Sequence, residues 1–310
     1  MPESPGHSVE EGTTIKVTFK ARLVRFLVAV PVLAVLSLTP TRGTSATAFG
    51  TLSALIGESG KLRAIFSLPG DLPAGRLTAA SSEPGVYPLS PDGTDTAVGN
   101  LSLVVMKPFS AKVNGRIGSY RIGNWPNEGR EPRSPNYATP KGFIEVTHDT
   151  FGTSVSEHFK LGDFVTKDQS DVWPKYVVLD RRLLDKLELT IGELHAMGYP
   201  VKGLTIMSGF RTPQYNEQGV GPGGRSAVSR HQYGDAADVY PDDDHDGRLD
   251  DLNHDGRVDL KDAAILASAA DAVERKDPDL VGGIGIYPAT PSHGPFVHID
   301  ARGTKARWNG

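Results

Sequence analysis

The chain has 310 residues, a formal net charge of −4 and no cysteine. This length suits one large domain or two ordinary ones, and the small negative charge argues against a nucleic-acid binder, which would carry a basic stripe. The missing cysteines exclude disulfides and thiolate metal sites, so any metal has to be held by His, Asp or Glu.

The first part of the chain, residues 1–48, has the pattern of an export signal. Basic residues between positions 16 and 25 precede an apolar run from Phe26 to Leu38, and Ala46-Thr47-Ala48 supplies small residues for cleavage. The run contains Pro31 and is short for a membrane-spanning helix of about 20 residues. We predict a signal peptide, or a signal anchor that ties the protein to a membrane if it is uncleaved. Either form gives an extracytoplasmic location, which is periplasmic, secreted or in the cell envelope.

The next region, residues 49–142, predicts a small β-rich domain. It is rich in Gly, Pro, Ser and Thr and holds short β-type runs at Leu101–Met106 and over residues 115–122. The stretch from Gly129 to Pro140 contains three prolines and indicates a linker or a long loop. No catalytic cluster is visible in this region, and the pattern gives it no role.

Residues 150–310 alternate helical patterns with strand patterns. A helix is predicted behind Asp180 and ends at Gly198, and a second, Ala-rich helix runs from about Lys261 to Arg275. The strand candidates are Leu204–Met207, Gly285–Tyr287 and Phe296–Asp300. Because the last two strands form a hairpin-like ending, we expect an α+β fold with an antiparallel sheet and flanking helices.

A candidate metal site begins with His231 and Asp238, which lie seven positions apart. On one helix they would be about 10 Å apart, and on one strand they would point to opposite faces. A turn at Gly234 would fold the chain so that both side chains converge. His298, inside an apolar run, is the best candidate for a third ligand. Two His and one carboxylate with an open fourth position are typical of a catalytic zinc site.

Three phrases, SGFRTPQYN, SRHQYGDAADV and GPFVHIDARGTKARW, resemble the signature blocks of the M15 family of zinc D-Ala-D-Ala carboxypeptidases and peptidases, and they come in the family's order. The earlier phrase from Ser156 to Phe164 resembles the entry segment of its M15_3-like branch. The resemblance covers residues 150 to 308. It implies the D-Ala-D-Ala-peptidase fold that the family shares with lysostaphin-type peptidases and the hedgehog signalling domain.

The same resemblance implies roles for single residues. His231, Asp238 and His298 match the zinc ligands. Arg211 matches the guanidinium that grips substrate, and its planar fork suits a C-terminal carboxylate or a developing oxyanion. Ser229 is expected to orient the substrate site rather than to react.

The family's usual general base is missing. In many members an acid stands three positions before the last zinc-ligand His, where this chain has Pro295, and some carry a His two positions before it, where this chain has Phe296. Two substitutes remain. Asp300 shares a strand face with His298 and could act as the base or as the partner that fixes the imidazole. His293 in the preceding loop could instead take or return a proton near pH 7.

Two acidic loops follow the first histidine motif, in an insert over residues 242–262. Each has oxygen-bearing residues at positions 1, 3, 5 and 9 and a Gly at position 6, as an EF-hand calcium loop requires. The second loop also closes at position 12, like a dockerin loop, and is the more complete. Its ligands would be Asp251, Asn253, Asp255, Asp259 and Asp262 with the carbonyl of Arg257, and those of the first loop Asp242, Asp244, Asp246 and Asp250 with the carbonyl of Arg248. The nine-residue repeat could also form a calcium ladder like that of thrombospondin type 3 repeats, or the insert could be a solvated acidic loop.

Together these features predict zinc-dependent hydrolysis of peptide bonds in bacterial peptidoglycan stems, as a D-Ala-D-Ala carboxypeptidase or endopeptidase, with structural calcium at the rim of the zinc cleft. The rival hypothesis is a non-catalytic cell-wall-binding module that keeps the zinc fold without the base. A calcium-dependent scaffold would use only the insert over residues 242–262 and leaves the three phrases unexplained. No nucleic-acid partner is expected.

Overall fold

The computed structural model describes residues 57–69, 71, 83–89, 101–132, 134–222 and 224–310. The predicted export signal over residues 1–48 lies outside these ranges. Within them, no helix has both the length and the apolar character needed to cross a lipid bilayer.

The described residues form an α+β fold, which confirms the predicted class. The strands are β1 Ala64–Ser67, β2 Gly85–Leu89, β3 Leu101–Val105, β4 Lys107–Pro108, β5 Arg116–Ile117, β6 Tyr120–Arg121, β7 Gly142–Val146, β8 Lys175–Val177, β9 Thr205–Ser208, β10 Ala236–Tyr240, β11 Gly283–Tyr287, β12 Phe296–Asp300 and β13 Ala306–Asn309. The α-helices are α1 Arg181–Ala196, α2 Pro213–Glu217 and α3 Leu260–Lys276.

The largest sheet has five strands in the order β13-β11-β12-β10-β9. Its four strands from β11 to β9 are antiparallel neighbours, while β13 runs parallel to β11 at the edge. The predicted hairpin at the end of the chain is confirmed as β11 and β12. In the pairing of β10 with β12, Asp238 lies opposite His298 and Ala236 lies opposite Asp300.

Helices α1 and α3 pack against each other and against the sheet. Helix α1 begins at the predicted residue, because the Asp180 side chain accepts a hydrogen bond from Arg182 N, and Gly198 follows its end with a φ of +90°. Its Leu183, Leu187 and other apolar residues at helical spacing are buried. Helix α3 packs against β11.

The region before residue 142 builds small sheets on the same hydrophobic core. Strands β1, β3 and β2 form one sheet, and Arg63 N donates to Val155 O at 2.9 Å, so the two predicted regions are hydrogen-bonded to each other. The Trp125 indole nitrogen donates to Gln232 O at 2.9 Å, next to the predicted ligand His231. Buried residues from Leu62 to Ile299 belong to one continuous core. The two predicted regions therefore share a core, and the first of them supports the turn that carries His231.

Candidate metal centre

Three side chains from separate elements meet beside the central sheet. His231 lies on the 3₁₀ turn Arg230–Tyr233, Asp238 on β10 and His298 on β12. His231 Nε2 is 3.1 Å from His298 Nδ1 and 3.2 Å from Asp238 Oδ1, and His298 Nδ1 is 3.0 Å from Asp238 Oδ1. These three residues, the metal group, are buried and could hold a metal ion. Asp238 and His298 keep 7% and 6% of their surface exposed, so the group borders solvent.

Two local features bring these residues together. Gly234 adopts a φ of +73°, and a Cβ there would lie 2.3 Å from Val178 O, so only glycine fits the turn between His231 and Asp238. Directly paired residues in an antiparallel sheet put their side chains on the same face, and Asp238 is paired with His298. The turn at Gly234 has the position that the sequence predicts.

The second nitrogen of each imidazole has its own hydrogen-bond partner. His231 Nδ1 donates to Gly209 O at 2.7 Å, and because a carbonyl only accepts, Nδ1 carries the hydrogen. The Nε2 lone pair of the neutral ring therefore points to the centre. His298 has the opposite arrangement: its Nε2 donates to Asp300 Oδ2 at 3.1 Å, which leaves Nδ1 facing the centre.

The electrostatics of the group call for a cation. Burial lowers the pKa of His231 to about 4, so the ring is neutral at pH 7. Burial alone would raise the pKa of Asp238, but the two imidazoles hold it well below its usual range. Burial likewise lowers the pKa of His298, but Asp238 and Asp300 outweigh it and the pKa is raised. The two carboxylates beside His298 therefore favour a positive charge at this position.

The donor set fits a zinc-sized ion. Tetrahedral ligands at about 2.0–2.1 Å from Zn²⁺ are separated from one another by about 3.3–3.4 Å. The measured separations of 3.0–3.2 Å are close to this. A Ca²⁺ ion takes six to eight oxygen ligands, so two imidazoles and one carboxylate do not suit it.

Asp300 makes contacts that suit an orienting residue. It is fully buried, and besides His298 its carboxylate accepts from Arg302 and from Gly283 N at 2.8 Å. Burial alone would raise the pKa of Asp300, but the hydrogen bonds from His298 and Arg302 hold it far below its usual range. Such a carboxylate accepts a further proton poorly, which favours the predicted role of fixing an imidazole over that of a base.

His293 lies in the turn before β12, and its Nε2 has no hydrogen-bond partner among the described residues. Its Nδ1 donates to Gly294 O at 2.8 Å, so the neutral ring presents the Nε2 lone pair. The ring packs edge-on against Phe296, with centroids 5.0 Å apart. Phe296 is two residues from His298 on the same face of β12, which puts His293 on the side of the sheet that carries the metal group.

Arg211 borders the metal group. Its Nη2 donates to Asp238 Oδ2 at 3.3 Å, and its Nε is buried without a hydrogen-bond partner. Burial lowers the pKa of Arg211 and Asp238 opposes this, while Tyr287 is among the weaker electrostatic influences. The Nε is thus a buried donor that has no acceptor among the described residues. Ser229 precedes the 3₁₀ turn of His231 and makes no side-chain cap to it.

The two acidic loops have nearly the same backbone. His245 and His254 have φ values of 62° and 58°, and Gly247 and Gly256 have 80° and 82°. In the first loop Gly247 N donates to Asp242, and in the second Gly256 N donates to Asp251 at 2.7 Å. The nine-residue repeat thus forms two copies of one loop.

The side chains of the two loops differ. Asp242, Asp244 and Asp250 bring their oxygens within 4.8 Å of one another, so the group compatible with a cation belongs to the first loop. In the second loop Asp255 pairs with Lys261 at 2.8 Å, and Asp259 caps α3, with Asp262 accepting from Asp259 N in the capping box. The sequence pattern favours the second loop as the more complete, whereas the acidic oxygens are closest together in the first.

The sequence motifs do not predict a buried ion pair between Lys186 and Glu274, which lies next to β12. Lys186 on α1 is fully buried, and its Nζ donates to Glu274 Oε1 and to Asp300 O, both at 2.6 Å. Arg307 also pairs with Glu274. The signal was the position of Lys186, three residues after Leu183 on the apolar face of the helix.

Comparison of the chain with models of known protein families and with curated proteins gives no match.

Proposed function

We propose that this protein is a zinc-dependent peptidase of the D-Ala-D-Ala carboxypeptidase or endopeptidase type, acting outside the cytoplasm on peptidoglycan stems. The observation that carries the proposal is the convergence of His231 Nε2, Asp238 Oδ1 and His298 Nδ1 within 3.2 Å of one another. The antiparallel order of β11, β12, β10 and β9, with helices packed on it, agrees with a hedgehog-like peptidase fold.

These three atoms would hold the ion. When bound, Zn²⁺ supplies Lewis-acid polarisation of a carbonyl oxygen and lowers the pKa of a water molecule into the neutral range. The side chains determine how well it can do so. His231 and His298 are locked in orientation by Gly209 O and Asp300, and metal ligands held in this way keep their geometry through a reaction.

His293 is the better candidate for moving the proton. A general base has to present a free lone pair toward the site, and His293 Nε2 does so on the side of the sheet that carries the metal group. Asp300 is a poorer base because three hydrogen-bonded groups already stabilise its charge. We assign His293 as the base and Asp300 as the residue that positions His298.

Arg211 would hold the permanent negative charge of a substrate. Its guanidinium already contacts Asp238, so a carboxylate bound to the guanidinium would be fixed beside the metal group. A buried arginine binds carboxylates more strongly than an exposed one because water competes less. This arrangement favours peptides that end in a free carboxylate near the bond to be cut.

The acidic insert over residues 242–262 would bind structural calcium. Buried Leu249 and Leu252 anchor it to the core, and the acids of its first loop point toward one position. Calcium there would hold the segment between β10 and α3 in place. An extracytoplasmic location provides the ion.

The test is hydrolysis of purified muropeptides by the metal-free protein after separate additions of Zn²⁺ and Ca²⁺. The proposal expects cleavage, seen as released D-alanine or split cross-links, to return with Zn²⁺ and not with Ca²⁺ alone. Tight binding to cell walls without turnover would support the rival wall-binding module. Binding that depends on Ca²⁺ alone would support the scaffold.

A further inference from the structure

Gly283 and Gly285 of β11 leave room for the Trp308 ring on the sheet face beside the metal group. Gly285 is paired with His298 on one side and with Trp308 on the other. A Cβ on Gly285 would lie 2.3 Å from the Trp308 ring, so the indole lies over the glycine. It thereby reaches across β11 to His298, with ring centroids 5.2 Å apart. The absence of a side chain on Gly285 therefore lets the Trp308 ring pack on His298.

Trp308 fixes the hydroxyl group of Tyr287. The indole Nε1 donates to Tyr287 Oη at 2.9 Å, and the Tyr287 ring stacks on Phe296 with centroids 4.6 Å apart and planes 4° from parallel. Because an indole nitrogen only donates, the phenol oxygen is the acceptor and its own hydrogen is left for another partner. In the described ranges no group accepts that hydrogen.

The free O–H lies on the side of the sheet where substrate would bind. Gly285, Tyr287, Phe296 and His298 are on one face, since residues two apart on a strand share a face and β11 is paired in register with β12. Tyr287 is partly exposed, and it is within electrostatic range of Arg211. The base candidate His293 packs against the same Phe296.

We propose that Tyr287 donates a hydrogen bond to the oxygen of the scissile carbonyl as negative charge develops on it. The assignment rests on the proposed peptidase function. Water oxygen adds to the carbonyl carbon while His293 takes its proton, and the carbonyl π pair moves onto the oxygen that Tyr287 contacts. That pair returns when the C–N bond breaks, and the proton passes to the leaving nitrogen, so one water is consumed for each bond cut.

Arg211 and Tyr287 would then have separate tasks. The guanidinium is always charged and suits a group that is anionic before and after the reaction, such as a terminal carboxylate. A hydroxyl donor gains most from an acceptor whose charge appears only in the transition state, and such preorganised donors are worth about 10²–10³ in kcat. The stacking on Phe296 and the bond from Trp308 supply the preorganisation.

The test measures binding as well as rate. Zinc-loaded wild type and Tyr287→Phe are titrated by calorimetry with a phosphinate analogue of D-Ala-D-Ala, whose tetrahedral anion mimics the charged carbonyl, and with D-alanine. We expect Tyr287→Phe to bind the phosphinate about 10²-fold less tightly, to bind D-alanine as wild type does, and to lose kcat with KM unchanged. Tyr120→Phe is the matched control, because the Tyr120 hydroxyl is buried without a hydrogen-bond partner.

Equal weakening of phosphinate and D-alanine, or no weakening of either, would overturn the assignment. Failure of the Tyr287 assignment can be distinguished from failure of the proposed peptidase function. If wild type cleaves muropeptides and Tyr287→Phe matches it, only the role of Tyr287 is lost. If wild type neither cleaves them nor binds the phosphinate, the proposed function is lost, and the role of Tyr287 with it.

Discussion

Asp300 accepts a hydrogen bond from His298 Nε2 at 3.1 Å. The two residues lie on the same face of one strand, β12. The same carboxylate accepts from Arg302 and Gly283 N, so three groups hold its position. This selects Nδ1 of His298 as the atom that faces Asp238 and His231. One strand thus supplies both a candidate ligand and the carboxylate that orients its imidazole.

Replacing Asp300 by Asn should weaken zinc binding without unfolding the protein. The amide keeps the size of the carboxylate but loses its charge, and loss of such a partner typically costs 10–100-fold in metal affinity. Competition with a chromophoric chelator measures this, with Asp279→Asn, an exposed acid, as the control. Wild-type zinc affinity combined with complete loss of cleavage would instead assign Asp300 as the base.

Replacing His231 by Ala should abolish stoichiometric zinc binding. The side chain is one of only three donors, and the remaining two cannot form a tight site for an ion that prefers four ligands. Metal analysis of the dialysed protein gives the stoichiometry. His148→Ala is the control, because His148 is exposed and packs on Trp173. Zinc content that stays at the wild-type level in His231→Ala would refute the ligand assignment.

The stability of the metal-free protein should fall as the pH drops from 6.5 toward 4. His231 has a folded-state pKa of about 4 against an ordinary value of 6.5, so in this window the unfolded state binds the extra proton. The loss can reach about 3 kcal/mol from this residue. His298 acts in the opposite sense above pH 6.5, because its raised pKa gives stability that is lost as the pH rises. Urea unfolding at several pH values should therefore show a maximum near 6.5, and a flat profile between 4 and 6.5 would contradict it.

The sequence predicts those parts of the site that depend on local chain geometry. His231 and Asp238 can bind one ion only if the chain turns between them, and Gly234 provides that turn with a positive φ. The helix limits at Asp180 and Gly198 follow from capping chemistry in the same way. Tyr287 and Trp308 were not identified, because their contact depends on the parallel pairing of β11 with β13, and parallel edge pairing has no local signature.

Sequence patterns also do not predict that one hydrophobic core runs from Leu62 to Ile299. A Gly- and Pro-rich region followed by a helical one indicates two domains, but composition does not reveal that Arg63 bonds to Val155 or that both regions share one core. The same holds for Lys186, whose burial depends on Glu274 lying opposite it on another helix. Long-range pairing decides both features.

Calcium binding in the insert should depend more on the first loop than on the second. Asp242→Ala removes one of three acids that lie within 4.8 Å of one another, while Asp255→Ala removes an acid that already has Lys261 as its partner. We expect calorimetric titration with Ca²⁺ to show a loss of about tenfold or more in affinity for Asp242→Ala and a smaller loss for Asp255→Ala. Unchanged binding in both variants would remove the calcium assignment.

Replacing Lys186 by Met should both lower the free energy of unfolding and weaken zinc binding through β12. The change leaves Glu274 buried with only Arg307 and Gly282 N as partners, and removing one member of a buried ion pair typically costs about 3–5 kcal/mol. It also removes the donor to Asp300 O, which helps to position β12. Because Glu274→Gln removes the unpaired charge, the double variant Lys186→Met with Glu274→Gln should be less destabilised than the sum of the single changes. Strictly additive free energies of unfolding in urea would show that the two side chains do not interact, and an unchanged zinc affinity in Lys186→Met would show that β12 does not need this support.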